Sequence, residues 1–156
     1  MIEHTTGNMQ IAKNAIISAV SLVGAGVTSA LGGWDTAMQT LIIFMGADYI
    51  CGLIVAGIFH RSPKTTEGKL ESRAGLKGLF RKIGILVAVI IATYLDMLLG
   101  ESAFARTATI MFFIANEGLS IVENLALMGI PFPMTVLKAL EQINPERMDT
   151  KTEEEE

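Results

Sequence analysis

Hydrophobic and polar positions fall in long blocks along this chain rather than alternating residue by residue. The first uncharged block, taken over residues 14–33, holds twenty residues. At 1.5 Å of rise per residue a helix of that length covers about 30 Å, the thickness of a bilayer's hydrocarbon core. It predicts a first membrane span. Residues 36–59 form a second block of twenty-four interrupted only by Asp48, and residues 83–99 a third of seventeen interrupted only by Asp96. Residues 80–82 would give this third block a membrane-surface turn. Residues 107–130 are long enough for a fourth span but carry Asn116, Glu117, Glu123 and Asn124. Beyond Pro131 and Pro133, Val136, Leu137, Leu140 and Ile143 recur at helical spacing and predict a short amphipathic helix, closed by Asn144-Pro145. The expected fold is an all-α integral membrane protein: four transmembrane helices, a basic cytoplasmic loop over 60–82, and a short C-terminal amphipathic helix within 131–156.

The first block imitates a secretory signal, with Lys13 before an apolar run and the small residues Ser29 and Ala30 after it. Twenty apolar residues exceed the usual h-region of roughly 7–15, so it reads as a retained span following a cytoplasmic N-terminus over 1–13. Ser21, Ala25, Ser29 and Gly33 recur every four residues. Such a face permits close helix contact in lipid, and Ala and Gly richness alone would also produce it.

The basic residues set the expected orientation. Seven of the twelve Lys and Arg lie between His60 and Lys82, which places that loop in the cytoplasm. With four spans both termini share that side, and Arg106 alone falls outside, eleven basic residues against one. Laying 107–130 along the surface instead would make the count eight against four. Within the loop Arg73, Lys77 and Arg81 recur every four residues, with Lys82 beside them and Leu76, Leu79, Phe80 and Ile83 supplying apolar surface. This is the pattern of a helix lying at an anionic leaflet, or of a solvated positive-inside loop.

Composition narrows the classes further. Apolar residues make up 51% of the 156 residues and charged ones 18%, too apolar and too lightly charged for an ordinary soluble domain or a disordered chain. A net charge of −4 argues against a nucleic-acid surface, and a single cysteine, Cys51, excludes a disulfide framework or a CxxC zinc site. His4 and His60 show no metal-ligand spacing, and no phosphate loop, nucleophile elbow or HExxH occurs. The expectation is a protein without catalysis, cofactor or metal.

The acids inside the spans therefore carry the functional question, because each costs at least ~2.5 kcal/mol in the hydrocarbon core unless it finds a partner or water. At about 100° per residue, Asn116, Glu117, Ser120, Glu123 and Asn124 share an arc of about 120°. The opposite face carries Met111, Ile114, Gly118, Val122 and Leu125. Two readings compete. The polar stripe either bonds within the protomer, with Asp48, Arg81 or Lys82 as partners, or lines a water-filled space shared by several copies. Asp96, near the end of its span, needs only Arg106 or interfacial water.

The run Phe113-Ile114-Ala115-Asn116-Glu117-Gly118-Leu119-Ser120-Ile121-Val122-Glu123-Asn124, then Gly129-Ile130-Pro131-Phe132-Pro133 and Leu137, Leu140 and Glu141, resembles the C-terminal signature of the toxin-secretion and phage-lysis holins. Ala47-Asp48-Tyr49-Ile50-Cys51-Gly52, the stretch over 72–82 and Tyr94-Leu95-Asp96 are similar to that family's second span, basic loop and third-span end. The similarity covers residues 38 to 143, and the Glu153 to Glu156 tail departs from the basic tails common there. What the resemblance implies is a small multi-pass protein of the bacterial inner membrane, both termini cytoplasmic. It would associate with lipid and with itself and open lesions that release an endolysin or toxin, subject to an antiholin. On this view Asp48, Asn116, Glu117, Ser120, Glu123 and Asn124 form a pore or subunit-facing set. A non-lytic channel or transporter, or an antiholin, is the alternative.

Overall fold

A computed structural model describes residues 2–62, 71–100 and 102–143, and among them every regular element is helical. The expected acidic tail and part of the basic loop lie outside the described residues. The chain divides into two compact units, 1–34 and 35–156.

The first unit is one helix, α1 (Ile2–Ala30). Its apolar side chains, among them Ile16, Val20, Leu22 and Val23, are exposed along the stretch Met9–Ala30 that is long and apolar enough to cross a membrane. The helix stops earlier than the apolar block. The Gly32 amide donates to Ser29 O and the Gly33 amide to Thr28 O, with φ of 76° and 108° at the two glycines. This is a Schellman ending, which needs a left-handed residue that glycine supplies without strain. Ser21, Ala25 and Ser29 are therefore exposed on one helix, whereas Gly33 lies beyond its end and does not continue their face.

The second unit contains α2 (Thr36–Ile54), a single π-helical turn over Val55–Phe59, α3 (Ser72–Leu99), α4 (Phe104–Leu127) and α5 (Met134–Ile143). Asp35 starts α2, its Oδ1 accepting from the Met38 amide at 2.8 Å, which satisfies one of the free donors of the first turn. His60, left-handed at φ 50°, ends the π turn. α3 is one unbroken helix of 28 residues, so the turns expected to lie in a separate loop over 72–82 extend the third span instead. Gly75, Gly78 and Gly84 do not interrupt it. Ring packing gives two of them a use: a Cβ on Gly75 or Gly78 would stand 3.7 Å from the Tyr49 ring and hydroxyl, so the glycines form the surface on which this α2 side chain rests.

α4 packs along α2 and, less extensively, α3, and α5 folds against α4. The α4 span is displaced from the expected 107–130 because Gly129, φ 81°, closes the helix by a second Schellman pair, Gly129 to Ala126 O and Ile130 to Leu125 O. At its other end α4 is capped from α3. Asp96 accepts from the amides of Ala105 and Arg106, both at 2.8 Å. Its role is structural, and it reaches Arg106 through the backbone. Including the π turn, four helices among the described residues are long and apolar enough to span a bilayer, and the chain is a multi-pass membrane protein.

Candidate functional site

Each of the three central helices buries a stripe that ends in, or passes through, a polar group. On α2 the stripe is Met38, Leu41, Met45 and Asp48; on α3 it is Lys82, Ile85, Val89, Ala92 and Asp96; on α4 it includes Arg106, Ile110, Glu117 and Asn124. These positions recur at three and four residues, the spacing that keeps a helix face against its neighbours. Asp48, Lys82 and Glu117 meet where the three stripes converge.

Lys82 Nζ donates to Asp48 Oδ2 at 2.9 Å and also to Glu117 Oε2. Asn124 Nδ2 donates to the other Asp48 oxygen at 3.1 Å. The residues are almost wholly enclosed, with exposures of 7% for Asp48, 8% for Lys82, 2% for Glu117 and 6% for Asn124. Apolar side chains of the same stripes lie to one side of Asp48 and Lys82, and Val55 and Ala56 of the π turn are buried beyond Asp48. Each charged group thus has a bonded partner of opposite sign, the condition under which ions are tolerated inside a membrane bundle. Gly52, one turn after Asp48, faces Asn124: a Cβ there would stand 4.0 Å from the amide nitrogen, an ordinary contact.

Three of these four were expected to matter as pore or subunit-facing residues, and Lys82 was expected at the membrane surface or, on the bonded reading, as a partner of the stripe within the protomer. The structure corrects that placement of Lys82: it lies on the inward side of α3, while Arg73, Lys77 and Arg81 occupy exposed positions on the same helix. Glu117 and Asn124 point inward with it. Asn116, Ser120 and Glu123 are half-buried, and each is engaged by other groups. The face expected to meet lipid is also redistributed. Gly118 and Val122 are buried against the bundle, Ile114 and Leu125 are half-buried, and Met111 is exposed.

A cleft of about 70 Å³ opens between α2 and α3 beside the cluster. Asp48 and Lys82 form its depth, Tyr49, Gly75 and Gly78 one wall, and Arg81, Glu71 and Ser62 line it as well. A second ionic contact holds the opposite end of the bundle. Arg106 Nη1 lies 2.6 Å from Asp35 Oδ2, tying the start of α4 to the cap of α2. The Arg106 guanidinium and then the Met38 amide hold the Asp35 carboxyl below the usual carboxylate range, against a smaller opposing effect of burial. Sequence spacing did not pair these two residues, since seventy-one positions separate them. Among the described residues no group of three His, Cys, Asp or Glu is arranged to hold a metal ion.

A buried Lys, two acids and an amide joining three apolar helices could serve many membrane proteins, and kinship narrows the choice. The model of the bacteriophage holin family matches residues 25–145. The chain belongs to that family. The match extends upstream of the motifs to include the end of α1. This holin-family chain is 39% identical over 126 residues to an uncharacterized protein of Clostridium perfringens strain 13, covering 80% of this chain and 87% of the relative. It is 39% identical over 127 residues to an uncharacterized protein of Listeria innocua, covering 80% and 84%. A probable holin of Bacillus phage phi105 is 33% identical over 118 residues, covering 76% and 81%. No solved structure matches the chain.

Proposed function

We propose that this protein is a holin-type permeabilising protein that assembles with copies of itself in a bacterial cytoplasmic membrane and opens it to an endolysin or a toxin. Family membership is the observation that carries the reading. The physical support is α4, a membrane-length helix with a polar side that lipid alone would disfavour. On this reading the loop around 63–70 and both termini face the cytoplasm, in keeping with the Lys and Arg bias. Asp48, Lys82, Glu117 and Asn124 close the protomer on itself, and the half-buried Asn116, Ser120 and Glu123 are the residues offered to neighbouring subunits. Opening then requires α4 to turn or separate from α2 and α3. The α1 positions Ser21, Ala25 and Ser29 supply a second contact between copies.

Timed expression in a bacterium, with release of a cytoplasmic enzyme as the readout, tests the proposal. Abrupt enzyme release after a lag is the expected result. Proton leakage without enzyme release points to a narrow channel. The closed pairing within one protomer favours a second reading, a non-permeabilising regulator of the antiholin kind, for which neither leak appears and co-expression delays lysis by another holin.

A further inference from the structure

Two carboxylates and one ammonium meet in the cluster, and their charges do not cancel. With Asp48, Glu117 and Lys82 all ionised the sum is one negative charge, and Asn124 adds none. The surroundings do not restore the balance. Among the described residues the buried cations are Lys82 and Arg106, and Arg106 is bound to Asp35. On α3, Arg81 lines the cleft from an exposed position, where the exposed Glu71 offsets it. On α4, Asn116 and Ser120 are neutral, and Glu123 has contacts of its own and brings a further negative charge. On α2, Tyr49 and Cys51 flank Asp48 without adding a cation.

An uncompensated charge among apolar helices is expensive, and two acids that share one enclosed site do not both ionise freely. Asp48 Oδ2 and Glu117 Oε2 accept from the same Lys82 ammonium, so the two carboxyls stand side by side and a proton on either neutralises the same cluster. The cleft beside Asp48 and Lys82 gives water a way in.

We propose that the cluster is a proton-binding site, in which one proton taken from water through the cleft between α2 and α3 is held between Asp48 and Glu117 at neutral pH. The step is an addition. A carboxylate oxygen accepts the proton, no bond of the protein breaks, and the three ionisable groups sum to zero. This property belongs to the single chain and holds whether or not the protein permeabilises membranes.

Infrared spectroscopy of the full chain in phosphatidylcholine vesicles at neutral pH reads the carbonyl stretch of protonated carboxyls. The expected amount is one per chain. It falls to none in Asp48→Asn and equally in Glu117→Gln, because each variant leaves one ammonium facing one carboxylate. It rises to two in Lys82→Met and stays at one in Asp96→Asn. Transfer to heavy water shifts the band, reading access through the cleft. Absence of a protonated carboxyl in the unaltered chain overturns the proposal without reference to any variant. A band that survives both amide substitutions, in proteins whose helical content is unchanged, also overturns it. A band that never shifts in heavy water overturns the route through the cleft.

Discussion

Lys82 shows what a single position decides. The side chain has an ammonium at its tip and reaches two carboxylates on two other helices, so its loss strands both. Replacing it by Met removes the charge while keeping the length. The expected cost is about 3–5 kcal/mol, the range for breaking a buried ion pair from one side. Converting Asp48 to Asn and Glu117 to Gln in the same chain recovers most of that loss, because no buried carboxyl then has to stay charged without a counter-ion or be protonated at neutral pH. Thermal unfolding in detergent, followed by circular dichroism, measures both. Asn124→Ala is milder, about 1–3 kcal/mol, since it leaves one Asp48 oxygen without its donor. The polar arc of α4 is legible in sequence because its period is local. The partner of that arc is legible only as one of several: Lys82 is a candidate beside Arg81 and Asp48, and it stands among Arg73, Lys77 and Arg81, a run of cations that also reads as surface. One signal distinguishes it. Lys82 continues the buried α3 series Ile85, Val89, Ala92 and Asp96 backward by three residues, whereas the other three cations follow a different side of the helix.

At the scale of elements, the ends of the helices matter more than their apolar middles. Span number and approximate position follow from block length, but the boundaries depend on glycine pairs and on caps supplied from other helices. Gly32 and Gly129 close helices that hydropathy alone would extend. Asp96 caps the start of α4 by accepting from its Ala105 and Arg106 amides, a contact between helices that no spacing within one helix encodes. Asp96→Ala is expected to cost about 0.5–2 kcal/mol, the range for a lost N-cap, and to speed hydrogen exchange at the Ala105 and Arg106 amides before any others. Asp35 adds a dependence on pH. Its folded-state carboxyl lies below the ordinary value of 3.8, so its contribution is present above that value and lost as pH falls through the folded one. Asp35→Asn keeps an oxygen for the Met38 amide but offers Arg106 no charge. Unfolding midpoints of the two proteins should differ at neutral pH and converge on acidification below about pH 4; a constant gap would assign the bridge no part in stability.

For the whole molecule, the proposed orientation and assembly both rest on the arrangement of charge. Reporter domains inserted between residues 63 and 70 are expected to report a cytoplasmic loop, and fusions near Gly100 the opposite side. Glu123→Gln is expected to leave insertion intact and to alter the timing of permeabilisation and the oligomer size seen after crosslinking. Unchanged timing and size would exclude that carboxylate from subunit contacts. The cluster has a further consequence, for biogenesis. Asp48 emerges from the ribosome thirty-four residues before Lys82 and seventy-six before Asn124, so α2 reaches the translocon carrying a carboxylate whose counter-ion has not yet been made. A chain cut short after residue 62 should therefore leave α2 poorly inserted, and one extended to residue 100 should rescue it. On this expectation the second helix waits at the lateral gate until the third arrives, and the two enter lipid as a pair.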